Sequence, residues 1–156
     1  AVVLEASEKP GILATAAHAD GSHHGILSVP GSVSGGKVTG DPFLRMDGQA
    51  VFKFAVRVLA DVAKECCTSA GISSTDLDWL IPHQANIRII QSITKYFEIE
   101  QSKVHITVDK YANISSATIP IALYDAMSCG KIKNGMKVLL TAFGAGFTYG
   151  AMVIEF

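Results

Sequence analysis

The sequence has few cysteines and no long apolar run, and each absence excludes a class of protein. Its three cysteines are an odd number; Cys66 and Cys67 are neighbours and Cys129 is distant, so they form neither a disulfide framework nor a metal-ligand spacing. No apolar stretch approaches the roughly 20 residues that cross a bilayer, and no segment resembles a signal peptide. We therefore expect a cytoplasmic protein with no membrane span and no metal, whose cysteines are reduced packing residues.

The sequence also has no excess of positive or of negative charge. The 13 basic and 14 acidic residues give a formal net charge of -1, without the overall basic field that drives non-specific nucleic-acid binding. We expect no nucleic-acid partner. What the chain does have is 156 residues with 49% hydrophobic content, enough to bury one core of ordinary size. The composition thus predicts a globular protein.

The first residues are unusual for the start of a protein, because an apolar segment begins at once without an initiator methionine. Ala1 to Leu4 and Ile12 to Ala17 predict two paired strands. The Gly-, Ser- and Pro-rich stretch from His18 to Asp41 predicts a long surface loop. We expect a piece of a longer protein with a duplicated fold, in which residues 1–41 are the tail of the first half and residues 42–156 form the second half.

The loop contains histidines that could be considered as metal ligands. His18, His23 and His24 have no acidic or thiol partner at a useful spacing, and they lie in the segment predicted to be flexible. The sequence therefore favours surface histidines over a metal site.

After residue 42, strand and helix patterns alternate. Apolar residues recur every three or four positions from Val51 to Val62, which predicts a helix that ends at Gly71. Further helices are predicted over residues 85–97 and after a cap at Ser115 or Ser116, with Pro120 in the first turn. Strands are predicted over residues 43–46, 78–82, 104–108, 137–143 and 149–156. This order predicts an α/β fold with a mostly parallel five-stranded sheet covered by helices.

The short buried strand ending at Pro82 delivers a histidine to the start of a helix. Ligand sites in such sheets lie at the carboxyl ends of strands, and the start of a helix biases an imidazole toward its neutral form. A neutral His83 can donate to a developing oxyanion or shuttle a proton. A hydrogen-bonded core histidine is an equally open interpretation.

Two further junctions carry candidate polar groups. Asn113 precedes a predicted helix, where its amide could donate beside His83 to form a hole for an enolate or oxyanion, or could act only as a cap or turn residue. The turn at Gly144-Ala145-Gly146 joins two strands, so it is not a dinucleotide loop. It either brings a backbone N–H close to a ligand or is a plain hairpin turn.

Four motifs together carry a resemblance to a known family. They are Met46-Asp47-Gly48-Gln49-Ala50-Val51-Phe52-Lys53, Pro82-His83-Gln84-Ala85-Asn86-Ile87-Arg88, Tyr111-Ala112-Asn113-Ile114-Ser115-Ser116-Ala117 and Phe143-Gly144-Ala145-Gly146-Phe147-Thr148-Tyr149-Gly150. In this order and spacing they resemble the C-terminal half of β-ketoacyl-acyl-carrier-protein synthase III, which has the thiolase-like fold. The resemblance covers essentially the whole chain.

The resemblance implies a decarboxylating Claisen condensation that starts fatty-acid synthesis. An acyl group from acyl-CoA, such as acetyl-CoA, would be joined to malonyl carried on acyl carrier protein, without any cofactor, by a homodimer. His83 and Asn113 match the residues that stabilise the enolate. The acyl group would be accepted by a cysteine that lies before residue 1, so this chain alone should not perform the condensation.

The resemblance also implies roles for residues around the catalytic pair. Phe143 would lie beside the reacting carbons, and the N–H of Ala145 would help to hold the tetrahedral oxyanion. Seven positions match the tunnel for the pantetheine arm: Met46, Gly48, Gln49, Phe52, Ala85, Asn86 and Ile89. Four match the surface that binds acyl carrier protein: Lys53, Gln84, Arg88 and Lys95.

Two alternative functions stay open at this point. One is a related polyketide or alkylquinolone-type synthase that uses the same histidine and asparagine on CoA-bound substrates. The other is a non-catalytic module for acyl binding or dimerisation, although such a scaffold has no need of both donors. A cysteine at a strand-to-helix turn upstream of Ala1 would favour an enzyme, and its absence would favour the module.

Overall fold

A four-stranded mixed sheet forms the centre of the computed structural model, which describes residues 2–9 and 11–156. Across the sheet the strands are β1 (Ile12–Ala19), β8 (Thr148–Glu155), β7 (Lys137–Gly144) and β6 (Trp79–Pro82). The pairs β1–β8 and β8–β7 are antiparallel, and β7–β6 is parallel. The expected α/β class is confirmed, but the expected five-stranded, mostly parallel sheet is wrong.

Within residues 2–9 and 11–156, four α-helices and four short 3-10 helices connect or cover the strands. The α-helices are α1 (Gly48–Ser69), α2 (Ile87–Phe97), α3 (Val108–Tyr111) and α4 (Thr118–Ser128). The 3-10 helices span Gly21–Ile26, Ser74–Asp76, Gln101–Lys103 and Ser115–Ala117. In the part of the chain that the structure describes, no helix combines the length and the apolar character that crossing a membrane requires.

The long helix α1 forms where the apolar periodicity predicts it. The Asp47 side chain caps its start by accepting hydrogen bonds from the N–H groups of Gln49 and Ala50. At the other end Gly71 adopts a φ of +70°, a left-handed conformation that glycine reaches without a steric penalty. Both predicted ends of this helix are therefore confirmed to within a few residues.

The predicted strand over residues 104–108 does not form. Val104 makes a single bridge to Leu80, and the chain then turns into α3. The reason lies in a side chain: Gln84 accepts hydrogen bonds from the N–H groups of Thr107 and Val108, which are then unable to join a ladder. An apolar alternation that is typical of a strand has been overridden by a tertiary contact.

The predicted pairing between the first residues and Ile12–Ala17 is also wrong. Val2 to Leu4 have no strand conformation and Val3 is 95% exposed, whereas Ala1 lies outside the described residues. β1 instead pairs with β8 along its length. An apolar segment gains stability as a strand only if it finds a free edge and a buried face, and Val2 to Leu4 have neither here.

The segment predicted to be a loop contains regular structure. β2 (Leu27–Ser28) pairs with β5 (Arg45–Met46), so the strand expected near residue 43 lies outside the central sheet. β3 (Ser32–Ser34) and β4 (Lys37–Thr39) form a hairpin. Its two turn residues, Gly35 and Gly36, have positive φ angles of 57° and 73°, as a two-residue hairpin turn requires.

Apolar cores lie on both faces of the sheet. On one face α1 and α2 pack together against residues such as Leu80 and Leu139; on the other, α4 covers Ile81 and Val138. Cys66 and Cys67 are buried in the first core, as predicted, but Cys129 is exposed at the end of α4, so its expected packing role is wrong. The helices on either side leave the carboxyl ends of the strands accessible.

Candidate active site

A cavity of about 1900 Å³ opens at the edge of the sheet where β1, β6 and β7 all end. His83 follows β6, Phe143 and Gly144 close β7, and the last residues of β1 form another part of the wall. Asn113 lines the same cavity. β1, β6 and β7 run in the same direction, so their carboxyl ends lie at one edge of the sheet, where the sequence analysis predicted a site.

The His83 ring is held by its backbone, by a hydroxyl and by an aromatic neighbour. The backbone N–H of His83 donates to the carbonyl of Thr141 over 2.8 Å, and the ring Nδ1 lies 2.6 Å from Oγ1 of Thr118. The Phe143 ring meets the imidazole edge-on, with centroids 5.5 Å apart. Burial lowers the pKa of His83, since desolvation disfavours the charged imidazolium. The ring is therefore suited to act as a neutral hydrogen-bond donor or acceptor.

Asn113 lies on a strained turn that leads into α4. Ala112 before it has φ +56° and ψ -164°, and Ser115 after it has φ +56°. The Oδ1 atom of Asn113 accepts a hydrogen bond from the N–H of Ser115 over 3.0 Å. Because the amide oxygen is occupied, its Nδ2 is the group left to donate, and within residues 2–9 and 11–156 it has no hydrogen-bond partner.

This geometry corrects the predicted cap of α4. Ser115 and Ser116 lie within the 3-10 helix Ser115–Ala117, and the residue before α4 is Ala117, which offers no side-chain cap. The Asn113 side chain orders the turn instead, which is the turn role that the sequence left open. Pro120 does lie in the first turn of α4, as predicted.

The glycine-containing turn between β7 and β8 forms another wall. Ala145 is exposed and lines the cavity, and its N–H has no backbone acceptor among the described residues. The Phe143 ring stacks on the buried Phe147 ring, with centroids 5.4 Å apart and planes at 4°. The hairpin that the sequence predicts is confirmed, and its turn lines the cavity at Gly144 and Ala145.

All seven residues predicted to form a tunnel line the cavity. Four come from β5 and the start of α1, and three from the residues at the start of α2: Met46, Gly48, Gln49, Phe52, Ala85, Asn86 and Ile89. Asn86 also has a structural part, because its Oδ1 caps α2 by accepting from the N–H of Arg88 over 2.8 Å. The starts of α1 and α2 thus both contribute to the wall of the cavity.

Of the four residues predicted to bind a carrier protein, three lie on an accessible surface. Lys53 and Arg88 line the cavity, and the Arg88 guanidinium lies 5.7 Å from the centroid of the Phe52 ring. Lys95 is exposed and lies outside the lining, seven residues after Arg88. Seven residues are about two helical turns, so both cations share one face of α2. They extend a positive strip away from the cavity.

Gln84, the fourth of these residues, is wrongly assigned to a docking surface, because it is only 1% exposed. Its Nε2 donates to the carbonyls of Pro82 and His105, and its Oε1 accepts from the N–H groups of Thr107 and Val108. All four hydrogen-bonding positions of the amide are therefore used inside the protein. Gln84 connects the strand that carries His83 to the segment that leads to Asn113.

The site also contains residues that no sequence pattern predicted. Thr118 meets His83 from 35 positions away in the chain, and no local pattern predicts such a contact. Tyr149 and His18 also line the cavity. His18 lies in β1, not in a loop, and its Nε2 is 2.7 Å from an oxygen of Glu65, an acidic partner that the spacing did not reveal.

The other histidines of that segment take structural positions. The His23 ring packs against the Phe54 ring, with centroids 3.9 Å apart, and Nδ1 of His24 lies 3.0 Å from the carbonyl oxygen of Gly21. In residues 2–9 and 11–156, no three His, Cys, Asp or Glu side chains come together in a way that could hold a metal ion.

Comparison with known proteins gives the family of the chain. A sequence model of the C-terminal part of 3-oxoacyl-[acyl-carrier-protein (ACP)] synthase III, where 3-oxoacyl is another name for β-ketoacyl, matches residues 67–156. The chain is 38% identical to the 3-oxoacyl-[acyl-carrier-protein] synthase III of Aquifex aeolicus VF5, with a TM-score of 0.88 over 97% of this chain and 46% of that one. For the corresponding synthase of Thermus thermophilus the values are 36% identity, a TM-score of 0.86, and 97% and 48%.

A third similar structure is the priming β-ketosynthase of the R1128 polyketide biosynthetic pathway, with 32% identity and a TM-score of 0.86 over 96% of this chain and 46% of that one. The chain spans about half the length of each of these proteins. The matched residues contain His83, Asn113 and the turn at Ala145. The chain therefore belongs to the 3-oxoacyl-[acyl-carrier-protein] synthase III family and matches its C-terminal part.

Proposed function

We propose that this chain is the C-terminal part of a synthase that condenses an acyl group from acyl-CoA with malonyl on acyl carrier protein. The single observation that carries the proposal is the meeting of His83 and Asn113 in one cavity with every residue expected around a pantetheine arm. A thioester at the end of such an arm would reach both side chains. No cofactor is required for this reaction, because the loss of carbon dioxide drives it.

The role of His83 and Asn113 is to stabilise the enolate. When malonyl loses carbon dioxide, the electron pair of the broken C–C bond moves to the neighbouring carbon and onto the thioester oxygen. Neutral N–H donors stabilise that developing charge without having to give up a proton. Support comes from the lowered pKa of His83, which favours the neutral imidazole, and from the amide Nδ2 of Asn113, which has no hydrogen-bond partner among the described residues.

Ala145 and Phe143 would act in the following step. The enolate carbon attacks the acyl thioester of a cysteine in the N-terminal part, forming a C–C bond and a tetrahedral oxyanion. The oxyanion then collapses and releases the cysteine thiolate. The N–H of Ala145, which has no backbone acceptor in the part of the chain that the structure describes, is a donor suited to that oxyanion. The Phe143 ring beside His83 would exclude water from the reacting carbons.

Acyl carrier protein would dock where the positive strip meets the cavity. Lys53 and Arg88 lie at the cavity, and Lys95 continues the strip along α2. An acidic partner would be steered toward this strip by charge, and its pantetheine arm would then enter between the starts of α1 and α2. Gln84 has no part in this surface, because it is buried.

The experiment replaces each donor in the full-length polypeptide that carries this chain. His83→Ala and Asn113→Ala are expected to slow decarboxylation of malonyl thioester by about a hundredfold or more, as the loss of an oxyanion donor does elsewhere. The rate is measured as release of carbon dioxide from labelled malonyl-carrier protein. Matched controls are His24→Ala and Asn134→Ala, which change the same residue types outside the cavity. Unchanged decarboxylation in both site variants would overturn the proposal.

A second candidate is priming of polyketide synthesis, favoured by the likeness to the R1128 priming ketosynthase. The chemistry at His83 and Asn113 would be the same, and the extender carrier would differ. Rates with malonyl on the fatty-acid carrier protein, on a polyketide carrier protein and on CoA would separate the candidates. Charge reversal at Lys95, which is exposed and lies outside the cavity lining, should raise KM for a carrier protein but leave KM for malonyl-CoA nearly unchanged.

The assembly, location and division of the whole protein also belong to the proposal. We take it to be a cytoplasmic homodimer, as the resemblance implies, which light scattering on the full-length protein would test. The boundary between its halves, expected at residues 41 and 42, stays a prediction. β1, on the N-terminal side of that boundary, pairs with β8 in the same sheet as β6 and β7.

A further inference from the structure

A buried hydroxyl contacts the catalytic histidine from the side of α4. Thr118 is the first residue of that helix and only 2% exposed, and its Oγ1 lies 2.6 Å from Nδ1 of His83. This contact crosses 35 positions of sequence and joins the element that follows Asn113 to the residue that follows β6. It occupies one of the two ring nitrogens.

The direction of this hydrogen bond follows from counting protons. A threonine hydroxyl carries one proton, and a neutral imidazole carries one on either Nδ1 or Nε2. If Nδ1 donated, the Thr118 proton would need another acceptor, and the described residues offer Oγ1 no second partner. A buried O–H without an acceptor is unfavourable. If the hydroxyl donates to Nδ1, both groups are satisfied and the imidazole proton lies on Nε2.

We propose that Thr118 is a positioning residue whose hydroxyl donates to Nδ1 of His83 and thereby holds the ring in the tautomer that carries its proton on Nε2. The proposal deepens the proposed function and, for its catalytic consequence, rests on it. Nε2 has no partner among the described residues, and His83 lines the cavity. Thr118 thus converts a histidine that could act as acceptor or donor into a dedicated donor toward the enolate oxygen.

The arrangement also links the two catalytic residues mechanically. Asn113 orders the turn at Ser115, and α4 begins at Thr118, so the same short segment supplies the amide donor and the group that orients the imidazole. The χ1 angle of a threonine at the start of a helix is restricted, and the hydroxyl is therefore preorganised. A shift of this segment would misplace both donors together.

The primary test reads the tautomer directly and does not depend on activity. The full-length polypeptide is labelled with 15N-histidine, and long-range 1H–15N spectra report which ring nitrogen of His83 carries the proton. The signal is assigned by its loss in His83→Gln. We expect Nδ1 unprotonated in the natural protein and in Thr118→Ser, which keeps the hydroxyl. In Thr118→Val, which keeps the shape but not the hydroxyl, the tautomer that carries its proton on Nδ1 becomes detectable.

Kinetics give the second readout. Thr118→Val is expected to lower kcat for decarboxylation about tenfold, the rate equivalent of one buried hydrogen bond, with KM within about twofold of the natural value. Thr118→Ser should restore most of the rate. The matched control is Thr94→Val, because Thr94 is also buried but bonds the carbonyl of Ile90 within α2, away from the cavity.

Two results would overturn the proposal: a proton on Nδ1 in the natural protein, or an unchanged tautomer in Thr118→Val. A misfolded Thr118→Val is recognised from its spectrum, and the natural protein and Thr118→Ser then still decide the question. If His83→Ala and Asn113→Ala leave decarboxylation intact, the proposed function fails, but the tautomer measurement still tests the contact with Thr118.

Discussion

At the scale of single residues, the site stores strain beside one of its donors. Ala112 has a φ of +56° with ψ -164°, a combination that glycine adopts readily and an alanine does not. It precedes Asn113, whose side chain then closes the turn on Ser115. This strained conformation lies next to a residue that we assign to catalysis. We infer that it sets the direction of the backbone at Asn113.

Removing the strain is expected to stabilise the protein. Ala112→Gly should raise the free energy of unfolding by about 1 kcal/mol, the strain relieved less the greater entropy that glycine gives the unfolded chain. Urea denaturation measures the change. The matched control is Ala117→Gly, because Ala117 has a φ of -81° and no strain to lose. It should destabilise the protein by about 0.5 to 1 kcal/mol, and an equal loss in both variants would contradict the assignment of strain to Ala112.

At the scale of elements, one buried amide decides where a strand becomes a helix. The apolar pattern at residues 104–108 is typical of a strand, yet Gln84 takes up the N–H groups of Thr107 and Val108 and α3 begins there. Side-chain bonds to the first N–H groups of a helix act as a cap. This cap comes from another element, and it ties the β6 end that carries His83 to the helix that precedes Asn113.

Removing the side-chain amide of Gln84 should destabilise the segment around Thr107 and Val108. Gln84→Leu leaves two buried N–H groups and two carbonyls without their partner, and we expect a loss of about 3 kcal/mol in unfolding free energy. Hydrogen exchange at Thr107 and Val108 should accelerate. Gln84→Glu keeps the acceptor for both N–H groups, so protection there should survive better than in Gln84→Leu. Gln91→Leu, at an exposed position of α2, is the control and should change stability by less than about 0.5 kcal/mol.

At the scale of the whole molecule, the half-buried His83 and the buried His105 couple folding to pH. Burial lowers the pKa of His83. His105 is 3% exposed, with Nε2 3.0 Å from a carboxylate oxygen of Asp125 and Nδ1 3.3 Å from the ammonium of Lys131. Its pKa is lowered by burial and, second, by the charge of Lys131, against the opposing effect of Asp125. In both rings folding therefore favours the neutral form over the charged form.

The lowered pKa values of His83 and His105 make the folded protein less stable at acidic pH. The unfolded chain titrates near the ordinary histidine pKa of 6.5, above the folded values, so between the two the unfolded state binds more protons. The stability contributed by the neutral rings is complete above that pH and is lost as the pH falls below it. Urea denaturation at about pH 7.5 and about pH 5.5 should give the lower unfolding free energy at the acidic value.

Substitutions identify the groups responsible for that dependence. His83→Gln and His105→Gln should each reduce the difference between the two pH values, because glutamine carries no titratable proton. His24→Gln changes an exposed histidine and serves as the comparison. An unfolding free energy that is the same at both pH values in the natural protein would contradict the assignment of buried neutral rings.

Local sequence patterns predicted the elements that depend on interactions between residues close together in the chain. The apolar stripe and Gly71 were enough to predict α1, since amphipathicity and a glycine at a helix end are visible along the chain, whereas the cap by Asp47 came only from the structure. The antiparallel pair β7–β8 was predicted in the same way. Gly35-Gly36 marked a hairpin that was assigned to a loop, although the positive φ angles available to two glycines are a usable signal.

Sequence alone therefore determined the α/β class, the resemblance to a family, and the identities of His83, Asn113 and the Ala145 turn as chemical groups. Only the tertiary structure decided the sheet order, the burial of Gln84 and the contact between Thr118 and His83. The physical reason is that periodicity and capping act over a few residues, whereas strand partners and the donor of a buried hydrogen bond come from segments far apart in the chain. The tautomer of the histidine belongs to this second class, because it depends on the hydroxyl that packs against it.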